Sequence, residues 1–150
     1  MKKWMDRIFP NSGDGNTQAP SVSPEIGAAG VLVEAAWRDG QYTEVERDIA
    51  TAAIMKLFLL DNASAARLRQ EAEAAQAKAS TMMTFAAAAR GLPSDKKEAL
   101  ITRLWAIIDS NGSATVPEEH VVRSVIDVLG VPQERGRGLR PAPSVTGKEN

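Results

Sequence analysis

The sequence contains no cysteine and only one histidine, His120. Without cysteine the chain has no disulfide, no thiolate nucleophile and no cysteine-ligated zinc or iron–sulfur site. Because no second histidine lies four residues from His120, the two-histidine zinc motif is absent as well. A cysteine-free composition is typical of a reducing compartment, so we expect a cytoplasmic protein.

Long apolar runs are also absent, although hydrophobic residues make up 43% of the 150 residues. No stretch approaches the ~20 apolar residues that a membrane-spanning helix needs. Asp6, Arg7 and Pro10 interrupt the segment where a signal peptide would have its apolar core. The net charge is −1, with a small basic excess at both ends and an acidic middle. Since nucleic-acid surfaces need clustered lysine and arginine, we expect no nucleic-acid partner.

Patterns typical of catalysis are missing too. The sequence has no Gly-x-Ser-x-Gly turn and no phosphate-binding loop of the Walker or dinucleotide type. A catalytic triad would have to be built around His120 without any surrounding motif. We therefore predict no catalytic residues, no cofactor-binding residues and a protein that is not an enzyme. A hydrolase with two facing carboxylates stays open as an alternative, because sequence does not show which acids face each other.

One motif is present twice, 72 residues apart. The copies are Asp39-Gly40-x-x-Thr43-x-x-Glu46 and Asn111-Gly112-x-x-Thr115-x-x-Glu118. Glycine reaches the left-handed backbone region without a steric penalty, so each glycine is predicted to end a helix. Each threonine has a glutamate three residues later, which is the pattern of a capping box at a helix start. The sequence therefore predicts two helix-turn-helix units.

Largely apolar residues at helical spacing flank both copies. Those before the turns are Val31, Leu32, Ala35 and Ala36 in the first copy, matched by Arg103, Leu104, Ile107 and Ile108 in the second, where only the arginine is polar. Those after the caps are Ile49, Ala53, Ile54 and Leu57, matched by Val121, Val125, Ile126 and Leu129. Each set predicts one buried face of a helix.

Start and stop signals divide the chain into about six helices. We predict helices from Pro24 to about Arg38 and from Glu44 to Leu60, two in the alanine-rich stretch capped by Asn62 or Ser64 and by Ser80 or Thr81, and two capped by Ser94 and Thr115. No alternating polar and apolar segment predicts a strand. We expect an all-α fold, a single compact bundle built from two pseudo-repeated helix-turn-helix units.

Residues 24–131 form the predicted domain, and the two ends differ from it in composition. Residues 1–23 comprise a short amphipathic segment, with Trp4, Met5, Ile8 and Phe9 on one side, and a linker rich in small and polar residues. This segment either folds onto the domain or contacts a partner or a membrane surface. Frequent glycine and proline predict a disordered tail for residues 132–150.

Carboxylates are the best candidates for function, since many lie around the turns and hard oxygen ligands suit Ca²⁺ or Mg²⁺. The stretch from Asp109 resembles the start of an EF-hand loop, but Ala114 replaces the glycine at position six and His120 the glutamate at position twelve. An EF-hand is therefore excluded. Capping accounts for Glu46 and Glu118, whereas Asp39 is either an ordinary turn residue or a metal ligand.

Taken in order, these pieces resemble the tellurite-resistance TerB-like family, which includes the N-terminal domain of the DjlA co-chaperones. The matching pieces are Ala35-Ala36-Trp37-Arg38-Asp39-Gly40, Glu44 and Glu46, Phe85, Leu104-Trp105 through Asn111-Gly112, Glu118-Glu119-His120 and Val128-Leu129-Gly130. The resemblance covers about residues 24–131.

The resemblance implies an all-helical cytoplasmic domain without enzymatic activity, associated with tellurite or general stress resistance. It also implies a divalent metal held by acidic residues, here Asp39, Glu46 and Glu118, with Asn111 in place of the usual aspartate. We expect a non-catalytic module that binds a protein partner through its acidic turns, with a divalent cation as the one candidate cofactor. The alternative is a membrane-surface adaptor or co-chaperone-like interaction domain acting through the N-terminal apolar segment.

Overall fold

The computed structural model describes residues 22–37, 42–78, 81–110 and 114–141. This part of the chain consists of seven α-helices and no strand: α1 (Pro24–Ala36), α2 (Glu44–Phe58), α3 (Asn62–Ala77), α4 (Met82–Ala89), α5 (Ser94–Asp109), α6 (Val116–Leu129) and α7 (Gln133–Gly138). The predicted all-α fold is confirmed. The predicted amphipathic segment at the N-terminus lies outside the described residues.

Helix α1 is the centre of the bundle and packs against α2, α3, α4 and α5. A helix that is apolar around its whole circumference belongs in the interior, and every α1 residue from Gly27 to Val33 is buried. A Cβ at Gly30 would lie 2.3 Å from the Phe85 ring, and one at Gly27 would lie 2.5 Å from the Phe85 carbonyl oxygen. The two glycines therefore allow α4 to approach α1 closely.

Helices α5 and α6 complete the core. Helix α5 packs against α1, α2 and α6, and α6 packs against α4 and α7 as well. The largest fully buried side chains come from five helices and include Leu32, Ile54, Phe85, Leu100, Leu104, Ile126 and Leu129. Both predicted helix-turn-helix units thus contribute to one hydrophobic core.

Both predicted capping boxes are present. Thr43 Oγ1 accepts a hydrogen bond from the Glu46 amide at 3.1 Å, and Glu46 Oε1 accepts one from the Thr43 amide at 3.0 Å. Thr115 and Glu118 make the same pair of bonds at 3.2 and 2.9 Å. The break in the alanine-rich stretch is also confirmed, with Thr81 as the cap of α4.

Two other predicted caps are wrong. Asp61, not Asn62 or Ser64, caps α3, since its carboxylate accepts a hydrogen bond from the Ser64 amide at 2.8 Å. Pro93 occupies the cap position of α5 and makes no side-chain cap bond, so Ser94 is already the first helical residue. In both cases the helix begins one or more residues earlier than the choice of polar residue suggested.

The buried faces of α2 and α6 differ from the prediction at one matched position. The residues Ala53, Ile54, Leu57, Val125, Ile126 and Leu129 are buried as predicted. Ile49 is only partly buried and Val121 is 37% exposed. Ala50 and Val122 are buried in their place, because each helix is rotated slightly so that the residue three positions before Ala53 or Val125 faces the core, and not the residue four positions before it.

Helix α2 ends two residues earlier than predicted, at Phe58. Leu59 then adopts a left-handed conformation with φ 57° and ψ 49°. This region favours glycine because a Cβ crowds the backbone there. Leu59 occupies it although its side chain is 82% exposed and so gains little from burial. The predicted end of α1 at Arg38 lies outside the described residues, and the helix itself extends to Ala36.

Helices α2 and α3 meet at a bend of 113°. Among the described helices, none is long and apolar enough by itself to cross a membrane, and only this bent pair has the length and composition when taken together.

The predicted absence of an ordered element beyond Gly130 is wrong for residues 133–138, which form α7 against α6. Gly136 is buried, and a Cβ there would lie 2.7 Å from the Ile126 side chain. Trp105 Nε1 donates a hydrogen bond to the Gly136 carbonyl at 3.1 Å. Composition predicted disorder around Gly136, whereas in the structure this glycine allows α7 to pack closely against α6. The rest of the predicted tail, from residue 142, lies outside the described residues.

Candidate functional site

The predicted metal ligands are not gathered into one site by the residues that the structure describes. Glu46 lies in the first turn of α2 and Glu118 in the first turn of α6, and each accepts a hydrogen bond within its own capping box. Asp39 and Asn111 lie outside the described residues. Elsewhere in the described chain, no group of three or more acidic or histidine side chains has a metal-binding arrangement.

An aromatic pair flanks the first Asp-Gly turn. The rings of Trp37 and Tyr42 stack with centroids 4.9 Å apart and planes inclined by 19°. The Arg47 guanidinium lies 5.1 Å from the centroid of the Tyr42 ring. These stacking and cation–π contacts connect the end of α1 to the first turn of α2 across the turn.

A polar network between α2 and α3 lies next to this aromatic pair. Arg69 donates from Nε to Thr51 Oγ1 at 2.9 Å and from Nη1 to Glu73 Oε2 at 2.8 Å. The Tyr42 hydroxyl is buried and has no hydrogen-bond partner of good geometry among the described residues. Burial, together with the nearby Glu73 carboxylate, raises the pKa of the Tyr42 phenol well above its ordinary value. The phenol is therefore neutral in the folded protein.

Helix α2 carries exposed acids just beyond its cap. Glu44 and Asp48 are both exposed and, being four residues apart, share one side of the helix. Neither carboxylate hydrogen-bonds or ion-pairs with another described residue. Val45 follows Glu44 and is 67% exposed. We call Glu44, Val45 and Asp48 the α2 stripe.

Around the second copy, Arg140 pairs with two acids at once. Its Nε and Nη2 donate to the two oxygens of Asp109 at 2.9 and 2.7 Å, and its Nη1 donates to Glu119 Oε2 at 3.1 Å. The guanidinium carbon lies 4.3 Å from the centroid of the Trp105 ring. The hydrogen bond to Asp109 is the main reason why the pKa of Arg140 is raised. Because Asp109 ends α5 and Glu119 lies in the first turn of α6, Arg140 connects the two ends of the second turn.

Sequence reasoning missed this cluster. Arg140 lies 31 positions from Asp109, inside the segment predicted to be disordered, and no local pattern connects them. The one available signal is the set of arginines at 135, 137 and 140, which stands beside an acidic body. Two of these three do pair with acids. Arg135 Nη2 lies 2.7 Å from Glu98 Oε1, and Arg140 Nη2 lies 2.7 Å from Asp109 Oδ1.

Comparison with known proteins agrees with the resemblance found in the sequence. A sequence model of the family described as Tellurite resistance protein TerB matches residues 25–140. No match was found among curated proteins or among solved structures. The matched region extends from the first turn of α1 to Arg140, and so includes both capping boxes and α7. The chain therefore belongs to the TerB family of tellurite resistance proteins.

Proposed function

We propose that this TerB-family chain is a non-catalytic module that binds a protein partner through the α2 stripe. The observation that carries the proposal is the different state of the two copies. In the first, Glu44 and Asp48 are exposed beside an exposed valine. In the second, Asp109 and Glu119 are both ion-paired with Arg140, and Arg123 lies 4.0 Å from Glu119 as well. A free carboxylate pair beside an apolar side chain suits a partner that presents lysine or arginine around an apolar residue.

The family supports the setting of this role. Its description is tellurite resistance, so we place the module in the response to tellurite or to related stress. The lack of cysteine favours the cytoplasm. A non-catalytic role is supported by the structural role of the two motif glutamates, since Glu46 and Glu118 accept capping bonds at helix starts.

A divalent cation is a separate part of the proposal, and the described residues restrict it. Glu46 and Glu118 belong to different helices, and Oε1 of each accepts a capping bond. They therefore do not suit a site in which one cation is held by all three predicted ligands. Asp39 is the predicted ligand that capping does not account for. We propose Asp39 as the binding position, since a carboxylate is a ligand that such cations prefer.

A melting experiment tests the cation. We expect Ca²⁺, Mg²⁺, Mn²⁺ or Zn²⁺ to raise the melting temperature of the wild type and of Glu71→Gln, a control on the exposed side of α3, but not of Asp39→Asn. Binding to the folded state alone raises stability by mass action. An unchanged wild-type melting temperature with all four ions would refute the proposed site.

Photocrosslinking tests the α2 stripe. Val45 and Val116 are matched probe positions, since both lie in the first turn of their helix and are 67% and 71% exposed. With a photoreactive residue at each position in cells, we expect a defined protein adduct from position 45 and none from 116. The adduct should disappear when Glu44→Lys and Asp48→Lys are added. Equal adducts from both positions, or an adduct that survives charge reversal, would count against the stripe.

A further inference from the structure

We propose that Trp105, Asp109 and Glu119 form a binding notch for an arginine side chain of a partner polypeptide, and that Arg140 fills this notch in cis. We call these three residues the arginine notch. The proposal does not rest on the α2 stripe, because the notch lies at the other copy of the motif, between the end of α5 and the start of α6.

The geometry of the notch is specific for a guanidinium group. Asp109 presents both carboxylate oxygens to Nε and Nη2 of Arg140, and Glu119 accepts from Nη1. The indole of Trp105 provides a flat face 4.3 Å below the guanidinium carbon. A planar guanidinium matches such a bidentate, stacked arrangement, whereas the three donors of the lysine ammonium point in tetrahedral directions and form neither the parallel pair of bonds nor a flat face against the indole.

The segment that carries Arg140 is held weakly enough to exchange. Helix α7 has six residues, two of them glycine, and Gly136 is its one buried residue. A helix of this length is not stable by itself. The ion pair of Arg135 with Glu98 is exposed, with side-chain exposures of 59% and 30%, and the Arg140 side chain is 33% exposed. The exposed pair of Arg135 with Glu98 contributes little stability, and α7 buries only one of its six residues, so local opening of residues 132–141 needs less free energy than opening of the core helices. The opening breaks the bonds of Arg140 to Asp109 and Glu119 and those of Gln133 to the Arg123 carbonyl and the Asp127 carboxylate.

Opening of this segment leaves a site that requires a new occupant. Trp105 is 2% exposed with the segment in place, and its indole N–H loses the Gly136 carbonyl when the segment leaves. Asp109 and Glu119 lose the guanidinium that they share at the same time, and Glu119 keeps only Arg123, whose Nη2 lies 4.0 Å from Glu119 Oε1. Leu139, immediately before Arg140, packs against the core. The chemistry that fits the open notch is therefore a segment with an aliphatic residue followed by arginine, in which the aliphatic residue follows a short helical turn as Leu139 does.

Peptide binding to the full-length chain tests the proposal. The probe is a capped peptide of residues 131–141, and its partner peptide has lysine at position 140. The proteins are the wild type, Arg140→Ala and the control Arg137→Ala, which removes an exposed arginine of the same segment. We expect the arginine peptide to bind Arg140→Ala about tenfold more tightly than it binds the wild type or the control. We expect the lysine peptide to bind Arg140→Ala about tenfold more weakly than the arginine peptide does.

Further variants keep the test decisive. Adding Asp109→Asn and Glu119→Gln to Arg140→Ala should abolish peptide binding. Arg140→Lys, which keeps the positive charge and serves if Arg140→Ala does not fold, should bind the peptide with intermediate strength. The Trp105 indole N–H resonance should shift in Arg140→Ala and stay in place in Arg137→Ala.

Three results would overturn the proposal. They are equal peptide binding by the wild type, Arg140→Ala and Arg137→Ala, equal binding of the arginine and lysine peptides, and peptide binding that persists without Asp109 and Glu119. In each case the guanidinium is not recognised by the notch.

Discussion

At the scale of single residues, Gly30 determines how closely the central helix approaches α4. A Cβ at this position would lie 2.3 Å from the ring of Phe85, which is fully buried, so the ring or the helix would have to shift. We expect Gly30→Ala to lower the free energy of unfolding by about 1–3 kcal/mol, measured by denaturant titration. Gly138→Ala is the control, because a Cβ there meets nothing within 4 Å. Equal stability of the two variants would contradict the close contact.

Leu59 is the opposite case, a residue whose backbone conformation does not suit its side chain. With φ at 57° and the side chain 82% exposed, replacement by glycine loses little packing and relieves a left-handed conformation. After allowance for the greater freedom of glycine in the unfolded chain, we expect Leu59→Gly to raise the free energy of unfolding by about 0.5–1 kcal/mol. Leu59→Ala keeps the strain and should leave stability unchanged. Glycine and alanine variants of equal stability would show that no strain is released.

Tyr42 gives a pH dependence that one spectroscopic signal can follow, since it is the only tyrosine in the chain. Its folded-state pKa is raised by burial and by Glu73, whereas an unfolded tyrosine releases its proton near pH ~10. Above that pH the unfolded state binds fewer protons, so the free energy of unfolding falls as pH rises. We expect Tyr42→Phe to lose this alkaline decrease relative to the wild type, in unfolding titrations from pH 8 to 11. Phenolate absorbance that develops near pH ~10 in the folded protein would contradict the raised pKa.

At the scale of elements, the two capping boxes start α2 and α6 in the same way. Loss of a threonine cap leaves helix amides without an acceptor, so we expect Thr43→Ala and Thr115→Ala each to reduce the free energy of unfolding by about 1 kcal/mol. The two effects should add, because the boxes belong to different helices. Thr102→Ala, which removes a hydroxyl bonded to a carbonyl inside α5, should change stability by less than about 0.5 kcal/mol. A loss confined to one of the two caps would contradict their equivalence.

These elements show which features of the fold sequence patterns can predict. A capping box needs only residues three positions apart, so both boxes and the break before α4 could be predicted. The predicted cap of α3 was wrong because Asp61, Asn62 and Ser64 are all good capping residues, and the sequence does not show which of them precedes the first helical residue. The buried positions Ala50 and Val122 depend on how a whole helix is rotated against its neighbours, which amphipathic spacing fixes only to within one residue.

At the scale of the whole molecule, the start of α5 gathers the ends of both units. Lys96 Nζ donates to the Leu57 carbonyl near the end of α2 at 2.9 Å, and Lys97 Nζ donates to the Leu129 carbonyl at the end of α6 at 3.4 Å. A cation at a helix C-terminus interacts favourably with the helix dipole. The two carbonyls stand at matched positions of the two units. Lys96 connects the second unit to the first, whereas Lys97 connects the two helices of the second unit, and both contacts span more than thirty residues, which no local pattern predicts.

The two copies of the motif have different surroundings, and this difference is the basis of the functional proposal. At the second copy, Asp109 and Glu119 are bridged by Arg140, which sequence reasoning placed in a disordered tail. The first has an aromatic pair at its flanks and the α2 stripe beyond it. Its Asp39 and the second-copy Asn111 lie outside the described residues, so their roles stay predictions from the sequence.

Survival in tellurite tests the working role of the α2 stripe most directly. Cells that lack this protein would carry the wild type, Glu44→Lys with Asp48→Lys, or the control Glu25→Lys with Glu71→Lys. The control also reverses two exposed acids, one of them in the first turn of a helix. We expect the wild type and the control to restore growth, and the stripe variant to fail although it accumulates and melts like the control. Full tolerance with the stripe variant would contradict the account.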